Sequence, residues 1–191
     1  MQYNQAHQIA VDIYKRLLPF CLLSDIAGDV KREMNKVNNI ELCCVPRVTE
    51  IKNLFQEVTG VERSGNFVRE VYRLGKLLNG DIRVGSEVEI MLPEQIKLKL
   101  VILNADVYFM QLLRRTSSTA YMSTVIEPAL NAKGLCNTDD GIRFIEDCYS
   151  KQAGIYGEKS QQKEWVCGKQ NFKPVQSFVC EYDLYSYIGV P

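Results

Sequence analysis

The chain has 191 residues, 46% hydrophobic and 24% charged, a globular composition that excludes a disordered or fibrous protein. Its 23 Lys and Arg balance 23 Asp and Glu, which excludes a grip on nucleic acid by bulk charge and leaves only local basic patches. No apolar run reaches the roughly 18 residues that span a bilayer, and the polar, amphipathic stretch Met1 to Lys15 predicts no secretory leader.

In chain order, residues 3–18 carry helical spacing, with Ile9, Ile13 and Leu17 on one stripe and Pro19 as the stop. His7, the one histidine, lies on this helix without a ligand or base partner at suitable spacing, which predicts a surface role. Leu23 to Asp29 is a short apolar run that ends in a turn pair. Ile40 to Val45, bounded by Asn38-Asn39 and Pro46, reads as a strand. Period two puts Glu41, Cys43 and Val45 on one face of it and Ile40, Leu42 and Cys44 on the other.

A second helix is predicted over 66–79, from Phe67, Val71, Leu74 and Leu78, with Asn79-Gly80 as its end. Ile82–Val84, Glu87–Leu92 and Ile96–Leu103 read as strands, and 106–115 and 119–133 as helices. Leu135–Asn137 and Ile142–Ile145 flank Asp140-Gly141 as a hairpin, and the chain beyond 150 is polar and loop-rich. Helices mixed with a β-meander predict an α+β fold. The seven cysteines (Cys21, Cys43, Cys44, Cys136, Cys148, Cys167, Cys180) include no C-x-x-C pair. This pattern predicts reduced thiols in a cytoplasmic protein, with Cys43 and Cys44 packed in a core, rather than a zinc site or disulfide framework.

Four segments stand in a particular order. They are Ile26-Ala27-Gly28-Asp29-Val30-Lys31-Arg32, Val37-Asn38-Asn39-Ile40-Glu41-Leu42, Ile96-Lys97-Leu98-Lys99-Leu100 and Leu112-Leu113-Arg114-Arg115-Thr116-Ser117-Ser118. Together they resemble the nucleotidyltransferase core of the DNA polymerase β, or X-family, polymerases, in particular the small phage-type versions. That family reads A-G-S-x-R-R, V-x-D-[IM]-[DE]-L, a strand ending in D-L, and a T-G-S turn. Asp29 and Asn39 are ten residues apart and Lys99 and Thr116 seventeen, as in the family, and Glu181 to Pro191 is similar to its thumb-end line. The likeness runs from about residue 5 to 191.

The resemblance implies a mixed palm-like sheet with helices on one side in residues 1–133, and a small thumb-like lobe in 134–191. It implies nucleotide triphosphate and DNA as partners, and Mg²⁺ as cofactor if the chain is active. In such enzymes two Mg²⁺ ions about 3.5–4 Å apart stabilise the attacking and leaving oxygens, and three strand carboxylates hold them. A Gly-Ser turn opens a helix whose N–H groups take the triphosphate.

Carried onto this chain, the triad positions hold Asn39, Glu41 and Lys99, so that Glu41 is at most a single metal ligand. The nucleotide positions fall on Gly28, Asp29, Arg32, Arg115, Thr116, Ser117, Ser118 and Met122. Asp29 stands where the phosphate-cradling serine would be, and Ser117 replaces the turn glycine. The triad charge of minus three becomes zero. A cation facing the Lys99 ammonium at about 4 Å is repelled by roughly 4 kcal/mol at an effective dielectric of 20.

These substitutions predict a pseudoenzyme with weak residual nucleotide or DNA binding. Two other readings stand: an active small polymerase using Glu87, Glu89 or Asp106, and a protein-interaction module that reuses the cleft. At the residue level the expectations are a Glu41–Lys99 bridge across neighbouring strands and Asp29 as an N-cap. Lys31, Arg32, Arg114 and Arg115 read equally as a remnant phosphate surface or as ordinary solvated charges.

Overall fold

The computed structural model describes residues 1–138, 141–152, 163–167 and 178–190. The chain divides into two compact units, Met1–Asn104 and Ala105–Pro191, so the division expected after residue 133 falls inside the second.

The first unit opens with helix α1 (Tyr3–Leu17), whose Ala6, Ala10, Ile13 and Leu17 are buried as the 3.6-residue spacing requires. Strand β1 (Cys21–Ala27) runs into a one-turn helix α2 (Gly28–Lys31), and strand β2 (Asn39–Pro46) follows. Next come β3 (Val48–Lys52), β4 (Val58–Arg63) and helix α3 (Gly65–Leu74). Three strands close the unit: β5 (Lys76–Asn79), β6 (Glu87–Met91) and β7 (Lys97–Ile102). Five of these strands form one mixed sheet in the order β1-β2-β7-β6-β5, parallel between β2 and β7 and antiparallel elsewhere. Strands β3 and β4 form a separate two-stranded hairpin.

Alternation along the sheet decides its two faces. Ile40, Leu42, Cys44, Val88, Ile90, Leu98 and Leu100 share a buried cluster with the apolar stripes of α1 and α3. Both helices therefore cover the same side, and an ion pair from Arg16 to Glu70 at 2.8 Å links them. The opposite face carries Asn39, Glu41, Glu87, Glu89, Lys97 and Lys99, all half-buried. Cys43 and Cys44 are core residues, as predicted. The Cys44 thiol hydrogen-bonds Cys21, which lowers the Cys21 pKa and raises that of Cys44.

Three elements differ from the sequence reading. The helix predicted over 66–79 ends at Leu74, because a side chain at Gly75 would run into the carbonyl oxygen of Met91 and residues 76–79 pair with β6 instead. Ile82–Val84 is a turn rather than a strand. Asp81 accepts from the Arg83 amide at 2.8 Å through its side chain and from the Gly85 amide at 2.7 Å through its carbonyl. The β3–β4 hairpin has no counterpart in the sequence reading.

The second unit contains α4 (Tyr108–Thr116), α5 (Thr119–Tyr121), a π-helical turn at Met122–Ile126, and α6 (Glu127–Asn131). The π turn precedes Pro128, which has no N–H to offer the carbonyl four residues back. The expected hairpin is present as β8 (Leu135–Thr138) and β9 (Gly141–Phe144). The stretch read as loop-rich contains β10 (Cys148–Gln152), paired antiparallel with β11 (Lys163–Cys167), and then α7 (Glu181–Ile188). Asp140 of the predicted turn and most of the polar stretch after 152 lie outside the described residues. Among the described residues no helix is long and apolar enough to cross a membrane.

Candidate functional site

The polar face of the five-stranded sheet is where four of the sequence-predicted positions meet. Strand β1 ends at Ala27, in register with Glu41 of β2. Gly28 then turns the chain with φ of 64°, in the left-handed region that favours glycine. A Cβ on Gly28 would lie 3.0 Å from Cγ and Cδ of Glu41, so the bare backbone is what lets that carboxylate lie beside the turn. Asn39, two residues back on the same face, donates from Nδ2 to Glu41 Oε1 at 3.2 Å.

Lys99 stands beside Glu41 in the parallel β2–β7 register, on the face expected. Its ammonium, however, pairs with Glu87 Oε1 at 2.9 Å, across the β6–β7 ladder, where a bridge to Glu41 was predicted. Lys97 pairs with Glu89 Oε1 at 3.1 Å in the same diagonal sense. Diagonal neighbours on an antiparallel pair are within reach of long side chains, and each such half-exposed pair contributes about 0.2–1 kcal/mol. Glu87 and Glu89, the alternative carboxylates, are thus the partners of Lys99 and Lys97. Asp106 lies in a short 3₁₀ turn, Ala105–Val107, of the second unit.

Strands β2, β6 and β7 contribute three carboxylates and two ammonium groups to this face around a neutral amide. Among the described residues no group of three or more His, Cys, Asp or Glu side chains is arranged to hold a metal ion. The residues present do not fit two Mg²⁺ ions, which need several hard anionic ligands with no cation inside the cluster.

Asp29 is not the N-cap. Ala27 occupies that position of α2, and the Asp29 carboxylate instead closes the loop that follows. Its Oδ1 pairs with Arg32 at 2.9 Å and its Oδ2 accepts the Asn38 amide at 3.2 Å. The anion and the cation at the predicted triphosphate turn therefore neutralise each other.

The remaining predicted positions belong to the second unit. Thr116 donates its hydroxyl to the Leu112 carbonyl at 2.9 Å and ends α4. Ser117 is extended, and Ser118 caps α5 by accepting the Tyr121 amide at 3.1 Å. Arg115 is half-buried. Met122 is 6% exposed and shares a buried cluster with Ile126, Leu130, Leu184 and Ile188, so it is a core residue. His7 is exposed on α1, its ring 5.5 Å from that of Tyr3.

The sequence reading missed the paired role of Glu87, Glu89, Lys97 and Lys99. The signal was present: Glu-x-Glu and Lys-x-Lys stand on either side of a tight turn, where a hairpin brings opposite charges onto one face. Compared with known proteins, the chain matches no family model and no curated sequence.

Proposed function

We propose that this chain is a polymerase-β-like nucleotidyltransferase frame that has lost transfer chemistry and retains weak, Mg²⁺-independent affinity for nucleotide or DNA. The reading rests on the resemblance for its frame. The observation that carries the loss of chemistry is Lys99, in register with Glu41 and held by Glu87 where a third metal carboxylate is required. Removing one member of a catalytic unit abolishes most of its effect, and here two of three ligand positions have changed. Asp29 supports the same conclusion for the triphosphate, since its carboxylate fills the turn and ties up Arg32, the cation expected to meet the phosphates.

The test is nucleotide incorporation on gapped DNA with Mg²⁺ or Mn²⁺, alongside titration calorimetry with a deoxynucleoside triphosphate. The parent protein shows no incorporation, and its weak binding is unchanged by chelator. Restoring Asn39→Asp and Lys99→Asp together with Asp29→Ser produces weak incorporation, better in Mn²⁺, and Glu87→Gln added to the set improves it by removing the carboxylate stranded by the loss of Lys99. Incorporation by the unmodified protein that survives Glu41→Ala overturns the proposal and returns the alternative carboxylates to consideration.

A further inference from the structure

The β3–β4 hairpin is built to be exposed. No residue of β3 is buried, and Leu54 and Phe55 at its tip are 97% and 84% exposed. The tip is nonetheless fixed. The Asn53 side chain accepts from the amides of Phe55 and Glu57 at 2.9 and 3.0 Å and donates to the Glu57 carboxylate at 2.7 Å. Large apolar side chains held outward on a rigid turn are pre-organised for contact, because little conformational freedom is lost on binding. Each strand also keeps one edge without a ladder partner among the described residues, the surface on which an extended segment can add.

Alongside the hairpin runs a groove of about 730 Å³, lined on one side by Ile51 and Val61 and on the other by Val68, Tyr72 and Val84. Its charges are Arg63, Arg69 and Arg83 against Glu62. Arg63 is committed to the Ile82 carbonyl at 2.7 Å. Arg69 and Arg83 are exposed, and their guanidinium groups make no ion pair among the described residues. Helix α3, which forms one wall, packs on the sheet face opposite Glu41 and Lys99, so this surface is separate from the site described above.

We infer that the hairpin and its groove dock an extended acidic segment of a partner protein, with aliphatic or aromatic side chains interleaved between its carboxylates. The apolar side chains fill the groove and cover the tip, and the carboxylates meet Arg69 and Arg83. A nucleic-acid strand fits less well, because it needs a longer track of cations at phosphate spacing and has no use for the aliphatic lining.

The experiment selects from a phage-displayed library of random short peptides on the full chain, with counter-selection on Arg69→Glu/Arg83→Glu. Recovered peptides are rich in Asp and Glu alternating with apolar residues. A synthetic copy of one binds the parent, and its Kd rises roughly tenfold or more with the double arginine variant and with Leu54→Ser/Phe55→Ser, as loss of anchor residues requires. Both variants replace exposed side chains and melt with the parent protein. Four outcomes overturn the inference: no enrichment over counter-selection, equal binding by the variants, oligo(dT) binding lost in the arginine variant without peptide binding, or a concentration-dependent dimer dispersed by the tip variant.

Discussion

Glu33 sits at φ of 55° immediately after α2, a conformation that costs a non-glycine residue about 1 kcal/mol. The amides of Met34 and Glu33 return to the carbonyls of Asp29 and Val30, the paired bonds of a glycine-type helix ending. Glu33→Gly therefore stabilises the protein by about 0.5–1 kcal/mol, read from the urea midpoint; an unchanged midpoint refutes this account of the turn. A second residue sets a pH dependence. Partial burial raises the Glu127 pKa above its usual 4.5, an effect that the Arg114 charge offsets in part. A raised carboxyl gives stability that is complete below 4.5 and is lost as pH rises through the folded-state value. Glu127→Gln removes that loss, so melting curves just above pH 4.5 show a flatter pH profile and the variant is the more stable at neutral pH. Gly28 and Lys99 were legible in the sequence, since each is a single residue type at a marked spacing. Glu33 and Met122 were not, because a helix of one turn leaves no periodic signal and the same spacing fits a core methionine.

At the level of elements, pattern was readable wherever one face was buried and the other wet. Strand β6 alternates throughout for that reason, β2 and β7 do so only over their first four residues before both faces become buried, and α1 carries its stripe. Hairpin β3–β4 escaped notice because neither face is buried, so Val-Thr-Glu-Ile-Lys has no contrast to display. The end of α3 was misplaced because Leu78 continues the helical spacing by coincidence after the chain has become β5. What ends the helix is long-range: the close approach of Gly75 to the β6 backbone. A carbonyl on a paired strand cannot yield as a side chain can. Gly75→Ala thus costs about 1–3 kcal/mol by overpacking, and hydrogen exchange quickens at 76–79 while β7 stays protected. Uniform protection across the sheet would contradict it.

On the scale of the whole molecule, each unit has a core drawn from its own residues. One cluster lies within residues 1–104 and the other within 105–191. The α+β class was legible, because hydrophobic period and turn chemistry are local, whereas the fifth strand of the sheet, β5 at Lys76–Asn79, was read as helix. The division between units was not, since it depends on which helices share a cluster, and α4 belongs with α6 and α7 through Met110, Leu113, Leu130 and Leu184. Zero net charge at the level of composition hides local organisation: opposite charges pair on the polar sheet face, while two arginines beside the hairpin stay uncommitted.

The parallel pairing of β2 with β7 has a kinetic consequence. Its paired residues stand 58 positions apart, whereas β6 and β7 are joined by one tight turn. Closing the long loop costs entropy before any ladder bond rewards it, so the β6–β7 hairpin forms first and offers β7 as the template on which β2 arrives. Val88 and Leu42 are both fully buried and both stand opposite Leu100, one from each side. Val88→Ala accordingly slows refolding, while Leu42→Ala, despite a larger equilibrium loss of about 2–5 kcal/mol, acts chiefly by speeding unfolding. Stopped-flow chevrons that assign the loss in Leu42→Ala to the refolding limb would reverse this order of assembly.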